Sequence, residues 1–192
     1  MSKKEKIVQA AISVFRENGI AKTKVSDIVK AAGIAQGTFY LYFPSLLSIM
    51  PAIAKEMVDK MEEVVEQKVE KDASFEEQIV QVVDAIFDLV EEHKDIFAII
   101  YAGIAQTEHI KEWENIYAPF YEWMHEFLES AQQQGMIRLS FNVKQGAKIV
   151  IGLIEVAAEQ IFLYDESTAE SVQEQKTILL DFLYNALGMR HV

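Results

Sequence analysis

Cysteine is absent from the 192 residues, which excludes disulfides, thiol nucleophiles, cysteine-ligated zinc and iron–sulfur clusters. Proline occurs three times and glycine eight times. Because these residues break helices and form turns, their scarcity favours long helices over many short strands. The most apolar run, residues 149–158, is much shorter than a membrane span and contains Glu155. No secretion signal is visible near the N-terminus. We therefore expect a soluble, cytoplasmic protein with no membrane partner and no cofactor.

The charge is divided unevenly along the chain. A net charge of −12 is unusual for a protein that binds nucleic acid, but the average conceals the distribution. Residues 1–50 contain seven basic and three acidic residues, a net charge of +4, whereas residues 51–192 carry −16. This asymmetry indicates a basic interaction module on an acidic body. Chance clustering of solvated charges is the alternative that charge alone leaves open.

Apolar residues recur with helical spacing along the whole chain, and no segment alternates with the two-residue period of a strand. This predicts an all-α fold of about nine helices. The first helix ends at Asn18-Gly19, and the others are predicted at about 24–32, 36–42, 45–71, 75–92, 93–104, 108–134, 143–164 and 168–187. Thr23 is the expected N-cap of the second helix. Pro51 lies inside the fourth and predicts a kink there.

A helix-turn-helix is predicted over residues 24–43, because only Gly33-Ile34-Ala35 separates the second helix from the third. The N-terminal residues of a recognition helix face base edges in the major groove. Gln36 can pair with adenine through two hydrogen bonds, and Thr38 can offer a hydroxyl to a base and a methyl to thymine. Gly37 between them lets the backbone approach closely.

Tyr40 and Tyr42 are two positions apart and therefore point in different directions around the helix. At least one of them should lie beside the groove and reach a phosphate. The alternative for the whole motif is a helical hairpin inside a bundle, with its aromatic residues simply buried.

The residue spacing in this segment matches the pattern of a known protein family. The residues that carry it are Val25, Asp27-Ile28, Ala32-Gly33, Gly37-Thr38, Tyr40 and Tyr42-Phe43. In this spacing the chain resembles the TetR/AcrR family of bacterial transcription regulators, densely over about residues 3–63 and weakly beyond. The resemblance implies a DNA-binding domain at 1–46 and an effector-binding and dimerisation domain at 47–192. It also implies a repressor that binds a palindromic operator as a homodimer and is released by a small, largely apolar or aromatic effector.

The chain departs from the family pattern at Gln36, at Leu41, where many members have His, and at Leu46, where a phosphate-binding Lys is common. Residues 34–46 carry no charge at all. Few ionic phosphate contacts predict a shallow dependence of DNA affinity on salt. The residues predicted to bind double-stranded DNA are Lys22, Lys24, Gln36, Gly37, Thr38, Tyr40 and Tyr42.

The last two long helices are the candidates for a dimer interface. Small residues in the first of them permit close helix approach, and its apolar residues cover more than one face. The predicted interface residues are Gly152, Ala157, Leu179, Phe182, Leu183 and Ala186. The alternative is that both helices belong to the core of a monomer.

An effector pocket is predicted among the middle helices, where large aromatic residues share one helical face. The candidate lining residues are Met61, Phe87, Phe97, Tyr101, Trp113, Tyr117, Phe120, Tyr121, Met124 and Phe162. Such a stripe is also typical of plain core, and the family resemblance is what favours a cavity. Glu155 and Glu159 could face a cationic effector, but the sequence favours solvent or a partner subunit for both.

Enzyme activity is not expected, and no catalytic residue is predicted. The spacing Glu122-x-x-His125 is used in di-iron helical bundles, but it occurs without the second copy that such sites need. We therefore expect no metal, and a metal-dependent bundle enzyme is a remote alternative. A helical ligand-binding protein whose DNA-binding segment has degenerated is a further alternative, because the recognition helix is uncharged.

Overall fold

The computed structural model describes residues 2–104, 112–164 and 166–189, and within these ranges there is no strand. Its α-helices are α1 (Lys3–Asn18), α2 (Val25–Ala32), α3 (Gln36–Tyr40), α4 (Met50–Lys68), α5 (Phe75–Glu92), α6 (Lys94–Ile104), α7 (Trp113–Gln133), α8 (Val143–Glu159) and α9 (Ala169–Ala186). The predicted all-α class is confirmed. The predicted start of the seventh helix, at residues 108–111, lies outside the described residues. No helix in the described part is long and apolar enough to cross a membrane.

The chain forms two compact units. The head unit consists of Met1–Val58 and Asp95–Ile116, and the body unit consists of Asp59–Lys94 and Tyr117–Val192. The head unit therefore takes most of α6 from the middle of the chain. The functional boundary after residue 46 stays a prediction.

Helix α1 supplies one wall of the head unit's core. It begins with a reciprocal cap in which the Glu5 backbone N–H donates to the Ser2 hydroxyl at 3.2 Å and the Ser2 N–H donates to the Glu5 carboxylate at 2.9 Å. It ends at Gly19, whose φ of 73° is one that glycine adopts without steric cost. Its apolar residues recur with helical spacing, and those on one face, including Ile7 and Phe15, are buried.

The turn between α2 and α3 is as short as predicted. Gly33 adopts the left-handed conformation, and its neighbour Ile34 donates a backbone hydrogen bond to the Val29 carbonyl at 3.0 Å, which closes the end of α2. The predicted N-cap of α2 is wrong by one residue. The cap residue is Lys24, whose backbone N–H donates to the Asp27 carboxylate at 2.9 Å. The Thr23 hydroxyl donates instead to the Gly19 carbonyl at 2.8 Å.

Helix α4 begins later than predicted. Ser45 and Ser48 cap each other, with hydrogen bonds of 3.1 and 3.2 Å between the backbone N–H of one and the hydroxyl of the other, and a 3₁₀ turn follows at Leu47–Ile49. The α-helix starts at Met50, so Pro51 lies in its first turn. A proline is tolerated there because first-turn N–H groups have no partner within the helix. The kink predicted at Pro51 is therefore not required.

The body unit is built around α5, α8 and α9. The N-terminus of α5 is capped reciprocally by Ser74 and Glu77. The Lys176 ammonium of α9 donates to the Asp84 carboxylate of α5 at 2.7 Å, which fixes these two helices side by side. After Glu159 the chain of α8 continues as a wider π-helical turn, Gln160–Tyr164, so the predicted helix at 143–164 consists of two parts.

Candidate DNA-binding surface and the body unit

The exposed side of α3 carries Gln36, Gly37, Tyr40 and Leu41. Residues 36 and 40, like residues 37 and 41, are four positions apart and share one helical face. All four are exposed, and Leu41 is 82% exposed. A Cβ atom built on Gly37 meets no atom within 4 Å, so open space lies over the backbone at this point. The face can therefore approach a large, grooved partner closely.

Phe39 anchors the opposite side of α3 in the core of the head unit. Its side chain is fully buried, and its ring centroid lies 5.6 Å from that of Phe43. Tyr40 packs edge-on against Phe39, also at 5.6 Å, yet stays half exposed, as does Tyr42. Thr38 is half-buried. The structure thus buries Phe39 and Phe43 and leaves both tyrosines at the surface.

Positive charge lies beside the recognition helix and not on it. Lys22, Lys24 and Lys30 precede α3 in the chain, and all three are exposed. The Lys4 ammonium lies 5.9 Å from the centroid of the Phe43 ring, which brings the basic N-terminal segment next to the end of α3. The surface therefore combines an uncharged reading face with cations contributed by neighbouring segments.

Leu41 is absent from the DNA-binding residues predicted from the sequence. The signal that could have found it is its spacing of four positions from Gly37, which puts both on one helical face. Leu41 is exposed and shares this face with Gly37, so the structure adds it to the candidate surface.

Two family descriptions match the chain. Residues 7–46 match "Bacterial regulatory proteins, tetR family", and residues 79–187 match "Tetracyclin repressor-like, C-terminal domain". The chain belongs to the TetR family. It is therefore a DNA-binding transcriptional regulator, and the resemblance inferred from its helix-turn-helix is confirmed.

Relatives within the TetR family cover almost the whole chain. The HTH-type transcriptional regulator YvdT of Bacillus subtilis is 37% identical to it, over 97% of this chain and 95% of YvdT. FadR from Bacillus subtilis in complex with stearoyl-CoA has a TM-score of 0.76 at 23% identity and covers 95% of this chain and 98% of its own. FadR from Thermus thermophilus in complex with lauroyl-CoA has a TM-score of 0.73 at 19% identity, and the match covers 98% of this chain and 97% of that one. At these identities the two solved structures establish the fold alone.

The ten residues predicted to line an effector pocket are divided between the units. Phe97, Tyr101 and Trp113 belong to the head unit. The body unit contains Met61, Phe87, Tyr117, Phe120, Tyr121, Met124 and Phe162. Tyr101 is exposed, Trp113 and Tyr121 are half-buried, and the other seven are buried. Three clefts of the body unit, of about 510 to 760 Å³, are lined by other residues, so this pocket stays a prediction.

A buried acid lies within the body unit. Glu155 is only 8% exposed, and the Tyr117 phenol donates a hydrogen bond of 2.8 Å to its carboxyl oxygen. Burial raises the pKa of Glu155 to about 8, against the lowering effect of that hydrogen bond and with a further raising effect of Glu159. The expectation that Glu155 and Glu159 face solvent or a partner subunit is wrong, because both are buried within the chain itself. Burial and the nearby Glu155 also raise the pKa of the Tyr121 phenol.

An apolar face formed by α8 and α9 is open to solvent. It consists of Ile149, Leu153, Val156, Ile178 and Phe182, and we call it the α8–α9 face. Of the six residues predicted for an interface, Phe182 and Ala186 are exposed, and Gly152 is half-buried with open space over its Cβ position. The remaining three, Ala157, Leu179 and Leu183, are buried within the unit.

The only enzyme-like spacing in the sequence forms a surface contact. The His125 Nδ1 atom lies 3.4 Å from a Glu122 carboxylate oxygen, and its Nε2 atom lies 4.0 Å from Glu129. Glu122 also lies 3.9 Å from the Lys144 ammonium. Among the described residues no group of three or more His, Asp or Glu side chains could hold a metal ion.

Proposed function

We propose that this regulator is a repressor that binds a palindromic operator as a homodimer and leaves it when a small, largely apolar effector binds. The observation that carries the proposal is the exposed face of α3, held on the core of the head unit by the buried Phe39. Two such faces in a dimer, about 34–36 Å apart, would read two half-sites in successive major grooves.

Each polar group of the candidate surface can bind a base edge or a phosphate. The Gln36 amide both donates and accepts, and so pairs with the edge of adenine. Gly37 lets the backbone approach the groove, and Thr38 offers its hydroxyl and methyl groups. The exposed phenols of Tyr40 and Tyr42 would donate to phosphate oxygens, which would fix the register of the helix on the duplex.

Lys22 and Lys24 supply cations for the phosphates, because α3 carries none. Leu41 adds an apolar contact to this surface, for which the thymine methyl group is the natural partner in the major groove. Replacing operator thymines by uracil should therefore weaken the wild-type protein more than the Leu41→Ala variant. Equal weakening of both proteins would remove Leu41 from the reading surface.

The α8–α9 face supports dimerisation of the body unit. Its members recur at intervals of three or four residues along each helix, so they form a continuous apolar stripe on each. Contiguous exposed apolar surface of this kind marks a protein interface. Gly152 lies within the stripe of α8 and has open space over its Cβ position, which lets a second helix approach closely.

The class of the effector is supported by relatives. The FadR structures similar in fold to this chain are bound to stearoyl-CoA and lauroyl-CoA, and the B. subtilis fatty acid metabolism regulator protein is 26% identical over 78% of this chain. The buried aromatic residues of the body unit provide apolar surroundings that suit a ligand with a hydrocarbon part. We infer that effector binding disfavours the DNA-bound conformation through its differential affinity for the two states.

We infer that helix α6 carries such a change into the head unit. It follows α5 of the body unit after His93 alone, and most of it belongs to the head unit. There the Arg16 guanidinium of α1 donates two hydrogen bonds to the Asp95 carboxylate. Partial burial opposes ionisation, but the guanidinium keeps the pKa of Asp95 below its ordinary value. A shift of α6 would therefore move α1.

Fluorescence anisotropy tests the proposal. The full chain is titrated into a duplex from its own upstream region and into a scrambled duplex, at two salt concentrations. We expect preference for the native duplex, two protomers per site, and a loss of about 1–3 kcal/mol per half-site in Gln36→Ala. Ser13→Ala, an exposed substitution on α1, is the matched control. Equal binding of the two duplexes, or an unaffected Gln36→Ala, would contradict specific reading by α3.

The same assay tests the effector. Stearoyl-CoA and free decanoate are added separately to the preformed complex. Release by either supports an apolar effector. Retention of DNA with both, while DNA binding itself is specific, would reject the acyl class and leave the DNA-binding proposal standing.

A further inference from the structure

A cleft of about 630 Å³ lies in the body unit, beside the turn from α4 to α5 and the C-terminal half of α7. Its size falls within the range of about 300–1,000 Å³ that is typical of small-molecule sites. None of the residues predicted for the effector pocket lines it. The cleft is therefore a separate feature, and its lining decides what it can hold.

Stacked aromatic rings form one wall of the cleft. Trp123 and Phe127 are four residues apart on α7, and their ring centroids are 5.3 Å apart with planes inclined by only 11°. Phe75 at the start of α5 continues the stack, with its ring centroid 5.0 Å from that of Phe127. Trp123 and Phe127 are half-buried, so part of each ring surface is available to a ligand. Phe120 stacks against Trp123 as well, with ring centroids 6.1 Å apart, so the wall offers a ligand mainly apolar contact.

The rim of the cleft carries more negative than positive charge. Glu66 of α4 and Glu126 of α7 are both exposed, and neither has an ion pair or hydrogen bond to another side chain of the described chain. Lys71 is the one cationic residue of the lining, and its long, exposed side chain can keep its ammonium in water. Two carboxylates without an ion pair in the described chain thus border an aromatic wall, with Lys71 as the one basic residue of the lining.

We propose that this cleft binds a monovalent organic cation with an aromatic or branched apolar body. The apolar part would lie against Trp123 and Phe127, and the positive charge would lie between Glu66 and Glu126. An organic anion is disfavoured because the two carboxylates repel it. A neutral apolar ligand gains nothing from the two carboxylates, whereas a cation is attracted by both. Binding at this cleft requires none of the residues predicted for the effector pocket.

Two ions of the same shape and opposite charge make a direct test. Tetraphenylphosphonium and tetraphenylborate are titrated separately into the full-length protein by calorimetry, and Trp123 fluorescence is followed in the Trp113→Phe variant. The chain has only two tryptophans, so Trp123 is then the sole indole reporter. We expect the phosphonium to bind once per protomer and change the Trp123 emission, and the borate to do neither. Equal binding of both ions, or phosphonium binding that leaves Trp123 emission unchanged, would overturn the proposal.

Charge variants locate the cation. Glu66→Gln combined with Glu126→Gln should weaken phosphonium binding about tenfold, which corresponds to about 1.4 kcal/mol for two partly exposed ion pairs. Glu91→Gln combined with Glu92→Gln changes the net charge equally at exposed positions of α5 outside the cleft, and should leave affinity unchanged. Equal effects of the two double variants would mean attraction by overall charge and would refute the site.

Discussion

Replacing Glu155 by glutamine should remove a large part of the pH dependence of stability. The Glu155 carboxyl is buried in the body unit, next to Tyr117 and Glu159. Burial is the main cause that raises its pKa from 4.5 to about 8. The folded protein therefore holds a proton on this group over a pH range in which the unfolded chain has released it.

The magnitude follows from proton linkage. Between the unfolded and folded pKa values the folded state binds one more proton, so the free energy of unfolding falls as pH rises. The stabilising contribution is complete below the unfolded pKa of 4.5 and is lost as pH rises toward about 8. Each pH unit corresponds to about 1.4 kcal/mol, which gives about 3 kcal/mol between about pH 5 and 7.5. Glutamine has the shape of the protonated acid and does not titrate.

Urea unfolding followed by circular dichroism measures the effect, at one protomer concentration and several pH values between about 5 and 8. The difference in unfolding free energy between Glu155→Gln and wild type should grow by about 3 kcal/mol from about pH 5 to 7.5, in favour of the variant. Glu91→Gln, an exposed substitution, is the control and should show a constant difference. A constant difference for Glu155→Gln as well would refute a protonated buried carboxyl.

Three further predictions concern charge, assembly and backbone. In the proposed dimer, Leu46→Lys should add two ammonium groups to the DNA-binding surface and steepen the log–log salt dependence of operator affinity by about 1.8, from a wild-type slope well short of about −10. An unchanged slope would mean that residue 46 is remote from phosphate. Phe182→Asp, at a side chain that is 63% exposed on the α8–α9 face, should produce monomers in sedimentation velocity and weaken operator binding, and persistent dimers would exclude this face. Gly188→Ala should lower the unfolding free energy by about 1–3 kcal/mol in urea titrations. The backbone φ at this position is +63°, and the new Cβ atom would lie 2.5 Å from the Arg138 carbonyl oxygen. An unaltered unfolding midpoint would show that the turn relaxes freely.

The helices were predictable because their signals are local. The buried face of α1 and the break at Gly33 are both encoded within a few residues, by apolar spacing and by glycine. The start of α4 was not predictable in the same way. Ser45 can cap a helix at once, and only the structure shows that it pairs with Ser48 and delays the α-helix to Met50.

The sites were predictable where a residue's own chemistry decides its place. The exposed face of α3 follows from the helix-turn-helix pattern, and Gln36 lies on it as its position in the motif requires. Burial in the body unit depends on the other helices. Helix α8 is apolar on most sides, so its sequence does not reveal that Glu155 points inward while Ile149 points outward.

The contribution of α6 to the head unit limits how this protein can recombine with its relatives. Arg16 and Asp95 are hydrogen-bonded within the same unit although 79 positions separate them in the chain. A recombination event that exchanged only the first 58 residues with those of a relative would combine α1 of one protein with α6 of another. The first 58 residues therefore do not form a complete unit by themselves, because residues 95–116 belong to the same compact unit.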